Sequence, residues 1–69
     1  MLSFGKKLKE LRKETNITQK DLSDFLNVTL GTIGMYETNR INPSPEILLK
    51  IADYFKISLD ELFDRDFKN

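Results

Sequence analysis

Apolar residues recur along this chain at the three-and-four spacing of helices. No stretch alternates strictly between apolar and polar positions, as a half-buried strand would, so no sheet is expected. Phe4, Leu8 and Leu11 share one face of a first helix over about residues 4–15. Ser3 is its expected cap, and Asn16, a residue tolerant of left-handed backbone, is its expected end. Thr18 opens a second helix, with Asp21 at the capping-box position and Ile17 and Leu22 at the spacing of a hydrophobic staple. Thr29 opens a third in the same way, stapled by Val28 and Ile33. Ser44-Pro45-Glu46 starts a fourth, because proline is favoured where the helix has an unpaired N–H to lose. Ile47, Leu48, Ile51, Ala52 and Phe55 give that helix a broad apolar face. Ser58 and Glu61 box the start of a fifth, with Ile57 stapled to Leu62.

The pattern therefore predicts an all-α fold of five helices. Leu8, Leu11, Leu22, Leu26, Ile33, Leu48, Ile51 and Leu62 converge on one expected core. Only Leu26-Asn27-Val28 separates the second and third helices, which forces a steep crossing. Asn27 falls where the turn calls for positive φ. Leu22, Phe25, Leu26, Val28, Ile33 and Tyr36 are the expected buried side of this pair.

Composition narrows the chemistry. Sixty-nine residues make a single domain, 1–69, that buries only about 60% of its unfolded surface. With no cysteine, disulfides and thiol chemistry are excluded; with no histidine, the commonest metal ligand and general base is missing. Stability must come from a tight core and well-capped helices. No apolar run approaches the roughly 20 residues of a membrane span, and Met1-Leu2-Ser3-Phe4 does not read as a signal peptide, so a cytoplasmic location is expected. Net charge is zero but uneven. Lys6, Lys7, Lys9, Arg12, Lys13 and Lys20 outweigh Glu10 and Glu14 near the start, while acids prevail after residue 41. A basic end still offers a positive face to phosphate.

The run Thr18-Gln19-Lys20-Asp21-Leu22, then Leu26-Asn27-Val28-Thr29, Thr32-Ile33, Tyr36-Glu37 and Pro43-Ser44 resembles the Cro-type or lambda-repressor-like helix-turn-helix family, from Phe4 through Phe63. The resemblance implies a compact five-helix domain with the helix-turn-helix at its second and third helices. It further implies a transcriptional regulator, acting as a repressor, that sets its third helix in the major groove of double-stranded DNA, as a homodimer on a palindromic operator. Gln19 is similar to the family's glutamine that meets a phosphate at a helix N-terminus. Thr32, Asn39, Arg40 and Asn42 are similarly placed for phosphates, and Thr29, Leu30, Gly31 and Met35 for the groove. Arg12 and Glu37 match a family pair that salt-bridges the first helix to the end of the third.

The third helix departs from the family pattern. Leu30, Gly31, Gly34 and Met35 stand where Arg, Gln, Asn, Lys or Ser are common, so no bidentate hydrogen-bonding side chain faces the bases. Asn27 and Ser23 stand where Gly and Ala are often found. Two readings follow. Either Leu30 and Met35 touch thymine methyls while the glycines admit the backbone to the groove, with DNA shape contributing to specificity, or this face packs on a protein. The second makes the chain an interaction module, an antitoxin-like or anti-repressor partner on the same fold. Gly31-Thr32-Ile33-Gly34 also spells the GXXG of KH domains, which needs a sheet that the pattern lacks.

Nothing points to catalysis. Asp60, Glu61, Asp64 and Asp66 cluster without histidine or a glycine-rich loop and do not match an EF-hand, so they read as a solvated acidic face. No cofactor, metal or small-molecule ligand is implied. Leu59, Phe63 and Phe67 fall at i, i+4 and i+8, a second apolar stripe expected to form a two-fold dimer interface.

Overall fold

The computed structural model describes residues 4–63. Five helices follow in order: α1 Phe4–Glu14, α2 Gln19–Leu26, α3 Leu30–Glu37, α4 Pro45–Phe55 and α5 Leu59–Leu62. Among the described residues there is no strand.

The helix starts follow the capping logic. Thr18 and Ser58 each accept the N–H three residues on, from Asp21 and Glu61, and those carboxylates accept the cap's own N–H in return. Both form the full capping box, which satisfies two otherwise unpaired donors at each end. The Thr18 N–H and hydroxyl hold the Asp21 carboxyl below its ordinary pKa of 3.8. Thr29 and Ser44 cap α3 and α4 through the backbone N–H of Thr32 and Ile47.

The helix ends share a second motif. Asn16, Asn27, Asn39 and Lys56 all take left-handed backbone, with φ of 64°, 59°, 61° and 58°. In each case the next residue's N–H reaches back five positions: Ile17 to Arg12, Val28 to Ser23, Arg40 to Met35 and Ile57 to Ala52, at 2.9–3.0 Å. This is the Schellman closure of a helix. At three of the four, the chain then runs directly into the next cap. Asn16-Ile17-Thr18, Asn27-Val28-Thr29 and Lys56-Ile57-Ser58 are the same connector: a left-handed stop, an apolar staple and a new start.

Leu8, Leu22, Leu26, Ile33, Tyr36, Ile51, Ala52 and Leu62 form the buried centre, where α1 and α2 meet α3 and where α4 and α5 close the other side. Three expectations are corrected. Leu11 and Leu48 are only half-buried and pack on the margin of the core, because a centre this small is already filled by Leu8 and Ile51. Phe25 is 47% exposed. Its ring lies on Tyr54, centroids 4.3 Å apart, along the outer seam of α2 and α4. Ser3, the expected cap of α1, lies outside the described residues. Within the described residues, the Gly5 N–H in the first turn of α1 is accepted from across the fold by Asn39 Oδ1 at 3.1 Å.

Candidate nucleic acid interface

The angle of α3 is set by a nearly dry polar cluster. Glu37, at the last turn of α3, has a side chain only 4% exposed. Arg12 of α1 donates to it twice, from Nε at 2.7 Å and from Nη2 at 3.3 Å. Gln19 of α2 donates from Nε2 at 3.0 Å. The remaining Arg12 nitrogen, Nη1, donates to the Ile17 carbonyl in the turn between α1 and α2. One carboxylate thus ties three helices together, and its charge is matched by a guanidinium that is itself 12% exposed. No buried side-chain nitrogen or oxygen among the described residues lacks a partner.

Gly5 brings α1 onto the end of α3. A Cβ there would stand 2.5 Å from both the Tyr36 and Glu37 carbonyl oxygens. Those are backbone atoms that cannot step aside, so the contact requires glycine. The sequence alone carries no sign of this, because Gly5 reads as an ordinary weak spot in the first turn of a helix.

With α3 fixed at its end, its outer face is open. Leu30 is 50% and Met35 37% exposed. Gly31 is exposed and Gly34 partly covered. Thr29 Oγ1 accepts the Thr32 N–H, and the two hydroxyls lie 2.8 Å apart, so both threonines sit at the mouth of α3. An open groove borders this mouth, between the end of α1 and the start of α2. It is lined by Lys13, Asn16, Thr18, Gln19, Lys20 and Leu30. The Gln19 and Lys20 N–H groups in the first turn of α2, which the capping box does not use, and two lysines give this groove positive character. Lys13 and Lys20 belong to the basic end read from the sequence, and the turn between α1 and α2 places Lys13 and Asn16 beside Gln19 in one groove. Lys20 is also paired with Asp24 at 3.0 Å, both side chains largely exposed.

The other expected site residues fall as follows. Gln19 has one amide N–H committed to Glu37 and a second to spare. Asn39 spends its Oδ1 on Gly5 and keeps its amide N–H groups. Arg40 and Asn42 are exposed in the loop beyond α3. Of the expected apolar stripe at the other end, Leu59 opens α5 and Phe63 caps its end, while Phe67 lies outside the described residues. The Phe63 ring turns back to Phe4, 5.8 Å between centroids, which leaves Leu59, 38% exposed, as the open apolar residue of α5.

Two short helices joined by a three-residue turn with Asn27 left-handed, the second held by its neighbours with one face free, define a helix-turn-helix domain. The helix-turn-helix family model matches residues 8–62, and the chain belongs to that family, in its Cro and lambda-repressor-like form. It is similar to the transcriptional regulator ImmR of Bacillus subtilis, 34% identical over 65 residues, which are 94% of this chain and 51% of ImmR. It is also similar to the cryptic phage CTXphi transcriptional repressor RstR of Vibrio cholerae, 38% identical over 64 residues, 93% of this chain and 57% of RstR. The chain thus spans about half the length of these relatives. Among solved structures, a transcriptional regulator from Listeria innocua superposes with a TM-score of 0.88 at 30% identity, over 97% of this chain and 63% of that one. The P22 c2 repressor, solved in complex with a synthetic operator, superposes with a TM-score of 0.86 at 26% identity, over 96% and 100%.

Proposed function

We propose that this chain is the DNA-reading domain of a cytoplasmic transcriptional repressor and has no catalytic role. The observation that carries the reading is the free face of α3, flanked by anion-binding features on both sides. One flank is the lysine-lined groove at the α2 N-terminus. The other is the exposed loop with Arg40 and Asn42. In this reading α3 enters the major groove with Thr29, Leu30, Gly31 and Met35 toward the bases, while Gln19, Thr32, Asn39, Arg40 and Asn42 meet phosphates. The Arg12–Glu37 pair sets the angle of entry. The operator bound by the similar P22 c2 repressor supports duplex DNA as the partner. Two copies on a palindromic site, with half-sites about 34 Å apart, is the arrangement that helix-turn-helix dimers use. Leu59 is the exposed apolar residue from which a two-fold contact could be built.

The test is fluorescence anisotropy of the purified chain with duplexes, first with a random pool and then with the sequences it enriches, across a range of salt. Binding should weaken as salt rises, and Arg40→Ala should weaken all sequences alike and lower the salt slope by about one. The apolar face of α3 favours one competing reading, the protein-interaction module. That reading gains if no duplex shifts the anisotropy even at about 100 μM, the weak end of non-specific binding.

A further inference from the structure

We infer that α3 selects its DNA through thymine 5-methyl groups, gripped by Leu30 and Met35 across a strip kept bare by Gly31 and Gly34. The inference rests on the DNA reading above and specifies the chemistry of that same face.

The glycines are the starting point. Neither has positive φ, so the backbone does not require glycine at either place. A Cβ added at Gly31 or Gly34 would meet nothing within 4 Å, so packing does not require it either. This contrasts with Gly5, where a Cβ would strike backbone. Glycine in a helix interior is nevertheless costly, which makes two of them in eight residues a burden on the fold. The fold gives neither glycine a role, which leaves both places open to a partner. The benefit of a missing side chain on an open face is that something outside can come closer to the helix axis.

The flanks say what that partner presents. At about 100° per residue, Gly34 and Gly31 fall between Leu30 and Met35, which stand about 140° apart around the helix. Both are substantially exposed. The two apolar side chains therefore do not merge into one patch, as a surface for a flat protein partner would. They form two ridges with a bare floor between them. No hydrogen-bonding side chain from Leu30, Gly31, Gly34 or Met35 is available to read N7, O6, N6 or N4 of the bases. The apolar feature of the major groove is the 5-methyl of thymine. Leu30 also walls the lysine-lined groove, so an apolar tip and an anion seat lie side by side, as a base edge and its phosphate do.

The experiment uses the chain itself and the duplexes it enriches from a random pool. Each thymidine in the best duplex is replaced in turn by deoxyuridine, which removes the methyl and nothing else. At the contacted positions, affinity should fall about fourfold per methyl, the equivalent of one buried methylene. In Leu30→Ala or Met35→Ala the penalty at one of those positions should shrink toward none, which separates contact from a change in DNA shape. Gly31→Ala and Gly34→Ala should each raise Tm by about 4–8 °C. The same variants should weaken binding by roughly tenfold or more, as a methyl is forced into a close contact. Deoxyuridine tolerated throughout would overturn the methyl assignment. Alanine variants that bind as well as the parent would overturn the role of the glycines. Failure to enrich any duplex would remove the DNA reading itself, and this inference with it.

Discussion

Arg12→Met isolates the cluster that holds α3. The substitution keeps most of the stem but takes two hydrogen bonds from Glu37 and one from the Ile17 carbonyl. The carboxylate left behind is 4% exposed and retains only the Gln19 amide. Removing one partner of a buried ion pair costs about 3–5 kcal/mol, most of it from the stranded charge. A 69-residue domain has roughly 3–10 kcal/mol of stability in total, so the variant should sit close to its unfolding midpoint at room temperature. Glu37→Leu should cost a similar amount by stranding the guanidinium. The double variant Arg12→Met, Glu37→Leu removes both charges together and should be more stable than either single one. Urea melts followed by circular dichroism give the three free energies, and the cycle should show a coupling of about 2 kcal/mol or more. Single variants that cost less than about 1 kcal/mol, with additive effects, would show the pair behaving as a solvated surface bridge and refute the argument.

Three further outcomes test other parts of the fold. Gly5→Ala should lower stability by about 1–3 kcal/mol, even though alanine is the better helix former, because its Cβ meets two carbonyl oxygens at 2.5 Å; a raised Tm would contradict that contact. Lys56→Gly should raise stability by about 1 kcal/mol by relieving a left-handed lysine at φ 58°, and a thermal melt with no gain would mean that the lysine stem compensates by packing. Asp21→Ala should lower Tm near neutral pH. Because hydrogen bonds from Thr18 depress the Asp21 pKa, its contribution is present above 3.8 and lost as pH falls through the lower folded value, so the gap between parent and variant should narrow in acid. A gap independent of pH would mean that the ionised carboxylate is not what the cap uses, since propensity alone favours alanine over aspartate.

The helix starts were legible because they depend on residues adjacent in sequence. Thr18 with Asp21, and Ser58 with Glu61, carry their own partners, and the structure places them as the spacing predicts. The stop at Asn27 was legible for the same reason, but Lys56 was not, since lysine has no tendency toward left-handed backbone and adopts it only because Ile57 is drawn back to Ala52. Long-range contacts were the least visible. Asn39 bonds to Gly5 across 34 positions, and nothing local marks either residue for the other. Phe25 reads from the sequence as part of the buried side of α2 and α3, whereas its ring stays on the outer seam beside Tyr54. Lys13 and Lys20 read only as members of a basic end, and the groove they share with Gln19 is visible once the turn at Asn16 is folded.

The division of α3 into a held face and a bare one has an evolutionary consequence. Ile33, Tyr36 and Glu37 are committed to the rest of the molecule, and changing them disturbs the fold. Leu30 and Met35 are exposed, and the space around Gly31 and Gly34 is empty. Replacements at those four positions therefore meet little structural selection, and most would leave a folded domain. On the proposed DNA reading, descendants of this chain can drift in the sequence they prefer while the scaffold is conserved. If α3 reads DNA as proposed, two lineages could come to ignore each other's binding sites through a few codon changes in α3 that leave the core untouched.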